Sequence, residues 1–180
     1  EFLAVLKQQA QNWQPGLPLD PATTMGTLID CAHADSVHSF IREGESKGQL
    51  LLDGRNAELA AAIGPTILVD VDPNASLSRE EIFGPVLVVI PFSDEDEVVA
   101  MANDSEYGLG GAVWTQDINR ALRVAKAVRT GRMWVNTYHE LPAHAPFGGY
   151  KNSGLGRETH KMMLDAYTEV KNIYISTKES

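Results

Sequence analysis

Apolar residues recur at helical spacing from the first turn of the chain, where Phe2, Leu3, Leu6, Ala10 and Trp13 share one face and predict a helix. No capping residue precedes that face and no Met begins it. The expectation is a chain entered partway along a longer polypeptide, or one with a processed or trimmed start. A turn at "QPGLPLDPAT" leads to a second helix, with Val37, Phe40, Ile41 and Gly44 in helical register and "SKG" at its end. "QLLLDG" and "TILVDV" then read as strands bounded by Gly and Pro, with "RNAELAAAIG" between them. "VLVVIPF" is a continuous apolar run of strand length, the texture of a buried parallel strand.

The period then alternates. "SDEDEVVAMAND" opens with Ser93 as the expected N-cap, carries carboxylates where a helix dipole favours them, and is expected to bury Val98 and Ala102. "GAVWT" is a strand. "DINRALRVAKAVRTG" spaces Ile118, Ala121, Leu122, Ala125 and Val128 along one helix face before Gly131, and "RMWVN" is a strand again. The run β-α-β-α-β predicts an α/β fold: an open, mostly parallel twisted sheet with flanking helices. After Asn136 the chain becomes irregular and rich in Gly, His and aromatics, a texture associated with functional loops. A short helical "KMMLDAY" follows, and "TEVKNIYIS" alternates like a strand without a local partner, which suggests pairing with another subunit.

Composition narrows the functional classes. With 180 residues, 43% hydrophobic and 22% charged, the chain suits one domain or most of one lobe of a larger protein. A net charge of −9 without any basic run argues against nucleic acid and anionic membranes, because phosphate binding needs clustered Lys and Arg. The longest apolar stretch, residues 85–92, is too short to cross a bilayer. A single cysteine makes no intrachain disulfide, and the cytoplasm is the expected compartment.

Candidate chemistry is sparse at first sight. His33 and His38 are five apart, as are His139 and His144, and neither pair has a Cys or acidic partner at zinc-site spacing. "GGYKNSGLG" is neither a P-loop nor a dinucleotide fingerprint. Cys31 sits among Asp30, Asp35 and His33, a poor setting for a thiolate, so a small buried side chain is the expectation. What stands out is "SREEIFGPVLVV", where two carboxylates and an aromatic precede a Gly-Pro turn and an apolar strand.

Four stretches taken in order, "EEIFGPVLVV", "NDSEYGLGGAVWT", "GRMWVN" and "PFGGYKNSGLGRE", resemble the C-terminal part of the NAD(P)-dependent aldehyde dehydrogenase superfamily, and the resemblance covers essentially the whole chain. The first ninety or so residues are most similar to γ-glutamyl-γ-aminobutyraldehyde dehydrogenases and the later "NTYHELPAHAPFGGYKNSGLGRETHKMML" to acetaldehyde-oxidising ones, as in a divergent member or, as we favour, a join of two parents. The resemblance implies residues 1–160 as a catalytic-lobe α/β domain incomplete at its N-terminal side, and residues 161–180 as a short helix with a terminal oligomerisation strand.

It also implies roles. Glu81 matches a carboxylate that binds the nicotinamide ribose, and Phe83 a ring packed beside the nicotinamide, while Glu80 has no assigned role. Phe147 matches an aromatic at the mouth of the substrate tunnel, and the preceding Tyr138 to Pro146, with His139, Glu140 and His144, match the segment that shapes it. Glu158 matches a proton-relay carboxylate, with helix capping as the alternative, and Lys151 and Gly154 match backbone positions for a monovalent cation. The resemblance places the nucleophilic cysteine, the general-base glutamate and the cofactor-binding fold upstream of this chain. The implied partners are NAD or NADP, a small aliphatic aldehyde or aminoaldehyde, the N-terminal part of the same enzyme, and further copies in a dimer or tetramer. Alone, the chain is expected to be inactive. The rival expectation is a non-catalytic fragment that folds or associates without chemistry.

Overall fold

The computed structural model describes residues 1–56, 59 and 61–177. Two compact units result, Glu1–Phe92 and Ser93–Ser180.

In the first unit, helix α1 (Phe2–Ala10) leaves Phe2 and Val5 exposed, and no side chain caps it. Helix α2 (Cys31–Lys47) starts where the Asp30 carboxylate accepts the His33 N–H at 2.7 Å, satisfying a donor with no partner inside the helix. Its buried face, Ala34, Val37, Ile41 and Gly44, covers a three-stranded sheet. Strand β1 (Gln49–Leu52) pairs antiparallel with β2 (Thr66–Val69), which pairs parallel with β3 (Val86–Val89). Gly44 is needed for this packing, because a Cβ there would lie 2.6 Å from Leu68 Cδ1. β2 is central and wholly buried, and its one hydroxyl, on Thr66, accepts the Gly54 N–H and donates to the Gly64 carbonyl. A short helix α3 (Ser76–Arg79) seats Leu77 against Leu68, Val71 and Ala75. β3 corrects an expectation: it is parallel but lies at the sheet edge, with Leu87 exposed, so it is not covered on both faces.

In the second unit, helix α4 (Glu95–Asn103) is capped by Asp94 rather than the expected Ser93. The Asp94 carboxylate accepts the Glu97 N–H, while the Glu97 carboxylate accepts the Ser93 N–H, a reciprocal arrangement that moves the cap one residue along. Val98 is half-buried, but Ala102 is exposed, contrary to expectation. Strands β4 (Tyr107–Gly108) and β5 (Gly110–Val113) precede helix α5 (Ile118–Ala127), where the Asp117 cap accepts two backbone N–H groups. The predicted α5 stripe is only partly covered: Ala121 is buried, whereas Ile118 and Leu122 are exposed. Strand β6 (Arg132–Val135) pairs parallel with β5, the product of one strand-helix-strand crossover. β7 (Tyr150–Lys151) pairs antiparallel with β4, and helix α6 (His160–Ala166) follows.

The mixed α/β class is as expected. The sheet is not one open array among the described residues but three ladders, β1-β2-β3, β4-β7 and β5-β6. "TEVKNIYIS" is no strand here: residues 168–177 have no regular structure, are exposed and pair with no strand among the described residues. Residues 178–180 of the expected terminal segment lie outside the described ones. No helix is long and apolar enough to cross a membrane among the described residues.

Candidate functional site

The "EEIFGP" stretch leaves α3 and enters β3 as a short loop fixed at several points. Ile82 packs inward against both core clusters. The Pro85 carbonyl accepts the Thr66 N–H at 2.8 Å, tying the loop's end to β2. Gly84 sits so close to α2 that a Cβ would meet Val37 Cγ2 at 2.8 Å. Between these anchors Phe83 adopts φ +55, a conformation costing a bulky side chain on the order of 1–3 kcal/mol, and the residue is 75% exposed. Glu81 is exposed as well, and nothing among the described residues pairs with its carboxylate. The fold thus holds an aromatic ring out of the core, with an unengaged carboxylate two residues before it.

A second cluster forms at the end of β6. Trp134 is buried, donates its indole N–H to the Glu140 carbonyl at 2.9 Å, and lies parallel to the His139 ring at 6.5 Å between centroids. Tyr138 leans on both rings, at 5.1 Å from Trp134 and 5.0 Å from His139. Asn136, also at positive φ, exchanges two side-chain hydrogen bonds with the Thr115 backbone and so prolongs the β5-β6 ladder before the chain turns. Trp134 and Asn136 are thereby the supports of the Tyr138–His139 segment, although the local pattern "RMWVN" marks both only as strand residues. The signal available was the dense aromatic and polar texture beginning at that strand's end.

Phe147 and Glu158 face each other as an isolated antiparallel pair, exchanging N–H to carbonyl bonds of 3.0 and 2.7 Å. Together with His144 and Gly154 they border an open groove of about 1030 Å³. The Glu158 side chain is exposed, and the residue capping α6 is Thr159, whose hydroxyl donates to the Ala145 and Glu158 carbonyls. Tyr138 and His139 do not line this groove. The Lys151 ammonium donates to the Asn103 and Ser105 carbonyls at 2.8 Å each, closing the end of α4, a contact that its backbone role alone did not suggest. Gly154 and Gly156 hold φ values of +132 and +75, where side-chain-bearing residues are strained.

The sequence pattern of the aldehyde dehydrogenase family matches residues 1–173. The chain belongs to that family. It is 70% identical over 176 residues to the NADP/NAD-dependent aldehyde dehydrogenase PuuC of Escherichia coli, a match covering 98% of this chain and 36% of that protein. Over 181 residues it is 43% identical to a betaine aldehyde dehydrogenase of Agrobacterium fabrum, covering 98% and 37%. Its fold is similar to that of a Burkholderia cenocepacia γ-glutamyl-γ-aminobutyraldehyde dehydrogenase, with TM-score 0.88, 44% identity, and 94% and 35% of the two chains covered. It is also similar to the P. syringae indole-3-acetaldehyde dehydrogenase AldA, solved as a C302A mutant with NAD+ and IAA, with TM-score 0.90, 40% identity, and 95% and 35% covered. The chain spans about a third of the length of these aldehyde dehydrogenases. Cys31, at the first turn of α2, is exposed rather than buried as expected, because the helix's buried face is Ala34, Val37, Ile41 and Gly44. No group of three or more His, Cys, Asp or Glu side chains suited to a metal ion occurs among the described residues of this family member.

Proposed function

We propose that the chain is the C-terminal catalytic-lobe portion of an NAD(P)-dependent aldehyde dehydrogenase oxidising a small aliphatic aldehyde or an aminoaldehyde to a carboxylic acid. The observation that carries this reading is the anchored loop that keeps Glu81 and Phe83 turned to solvent. An unengaged carboxylate and an exposed ring fit a ribose diol next to a flat heterocycle. When bound, the nicotinamide supplies the hydride acceptor. Glu81 accepts hydrogen bonds from the ribose hydroxyls, and Phe83 limits the movement of the ring beside it. Phe147 and His144 on the groove, and the separate Tyr138–His139 cluster outside its lining, shape the aldehyde's entrance, where His139, His144 and Glu140 favour a polar or short substrate over a fatty one. Glu158, exposed beside the groove, passes protons between it and solvent. The Lys151 and Gly154 carbonyls are the candidate monovalent-cation contacts.

In this reading the nucleophilic cysteine, the general base and most of the NAD or NADP contacts come from the part of the enzyme not contained in this chain, so the chain alone gives no turnover. Residues 1–160 are then a catalytic-lobe domain incomplete at its N-terminal side, and the terminal strand of segment 161–180, which is exposed over residues 161–177, pairs with another copy in a cytoplasmic dimer or tetramer. A join of two parental sequences predicts that identity to a γ-glutamyl-γ-aminobutyraldehyde dehydrogenase drops sharply after the first ninety residues. The competing reading, a fragment that only associates, draws on the exposed apolar residues of the same terminal segment, including Val170 and Ile173.

The test is Glu81→Gln in a polypeptide in which this chain is joined to the remaining two thirds found in its relatives. The KM for the nicotinamide cofactor should rise about tenfold or more, as expected for a lost charge-assisted hydrogen bond. Unchanged cofactor kinetics would refute the assignment of Glu81.

A further inference from the structure

The loop that carries Phe83 docks on one helix, α2, and the contact is specific. Within α2, His33 lies in the first turn, its backbone N–H tied to the Asp30 carboxylate at 2.7 Å. From that fixed position its Nε2 reaches the Phe83 backbone carbonyl at 2.8 Å. The acceptor is a carbonyl, so Nε2 must carry the hydrogen. The same imidazole meets the Phe83 ring edge-on, with centroids 6.0 Å apart and planes at 72°. One turn further along α2, Val37 fills the space that only a glycine leaves at position 84. Phe83 itself holds φ +55, a conformation that persists only where surroundings impose it.

We propose that His33 is a positioning residue for the cofactor loop: by donating Nε2–H to the Phe83 carbonyl and bracing the edge of its ring, it imposes the left-handed turn that presents Phe83 to the nicotinamide. The bond and the strain lie on the same residue. Without the donor, Phe83 relaxes toward ordinary backbone angles, and its ring leaves the position in which it restrains the cofactor. His33 touches neither substrate nor the reacting atoms in this scheme. Its effect is therefore on cofactor affinity and on the productive pose, carried through Phe83. The inference rests on the reading of Phe83 as the ring beside the nicotinamide.

The experiment uses the enzyme completed with the remaining two thirds found in its relatives, and four variants: His33→Leu, His33→Gln, Phe83→Ala and the double variant His33→Leu with Phe83→Ala. Steady-state kinetics with varied NAD+ and a saturating short aldehyde, together with the melting temperature of each variant, are read. His33→Leu should raise the KM for NAD+ about 3- to 10-fold, the range expected for one neutral hydrogen bond, while the KM for the aldehyde stays unchanged. His33→Gln, which keeps a side-chain N–H donor, should restore most of the loss. In the double variant His33→Leu should add nothing to Phe83→Ala, because the two act through one ring. If Phe83→Ala weakens NAD+ handling and His33→Leu does not, His33 has no positioning role and the Phe83 reading stands. Equal loss in both KM values in proportion to a lowered melting temperature marks a general stability effect and also overturns the inference. If Phe83→Ala leaves NAD+ kinetics unchanged, the reading of Phe83 fails and this inference with it.

Discussion

The two units differ in where they keep their apolar side chains. In Glu1–Phe92 the faces of α2 and β2 close on each other, and Val37, Ile41, Ile63, Ile67 and Leu68 are all at most 2% exposed. In Ser93–Ser180 the buried apolar residues among those described are Ala121 and Trp134, while Trp114, Ile118 and Leu122 are exposed on and beside α5. Both units have amphipathic helices with well-formed caps. The first covers the apolar face of α2, though not that of α1, whereas the second leaves most of the α5 stripe in water. A helix written with an apolar stripe that stays in water signals a missing surface, and this chain spans about a third of its relatives' length. The first unit supplies a rigid frame for Glu81 and Phe83, and the second presents its loops from a thinner support.

The largest effect that could break this contrast is core truncation. Ile41→Ala should destabilise the chain by about 2–5 kcal/mol in chemical denaturation, as cavities in closed cores do. Leu122→Ala, the matching truncation in α5, should change the stability of the same chain by no more than about 0.5 kcal/mol. A Leu122→Ala loss as large as that of Ile41→Ala would mean the second unit is closed as well. Removal of a cap gives a smaller effect: Asp30→Ala should cost about 1 kcal/mol, because the His33 N–H loses its acceptor at the start of the helix that carries the first unit's core.

Much of this architecture was legible in the sequence. The helix over Ile118–Ala127 and the strands at "TILV", "VLVV" and "RMWV" follow directly from apolar period and turn residues. What period cannot report is whether a matching surface exists, so the exposure of Leu87, Ile118 and Leu122 and the irregular course of "TEVKNIYIS" came only with the structure. The shift of the α4 cap to Asp94 is a contest between two adjacent good caps, decided by the reciprocal Glu97 bond. Of the site, Glu81, Phe83, Phe147 and Glu158 stood out through motif resemblance. His33, Trp134 and Asn136 did not, because their importance lies in contacts with residues distant along the chain or in a backbone twist that no local pattern encodes.

The smallest effect concerns pH, where the units should behave alike. In the first unit, Lys47 and the Ser76 hydroxyl hold the Glu43 carboxyl below its ordinary range, and Arg55 does the same for Asp53. In the second, Arg123 lowers Glu95, and the backbone N–H groups of Arg120 and Asn119 lower Asp117. A carboxylate with a lowered folded-state value stabilises above its ordinary value, and that contribution is lost as pH falls through the folded value. Thermal melting should therefore be flat from about pH 7 to about pH 5 and decline below about pH 4.5. High salt should shrink the part due to the exposed pairs Arg123–Glu95 and Lys47–Glu43. A decline that begins near neutrality would contradict this assignment to the carboxylates.

The most direct test of the functional account is aldehyde-dependent NADH or NADPH formation, measured in parallel for this chain alone and for the chain joined to the remaining two thirds found in its relatives. The account predicts turnover of a short aldehyde or aminoaldehyde by the joined protein and none by the chain alone. Turnover by the isolated chain, or a folded joined protein inert toward every small aldehyde offered, would contradict it.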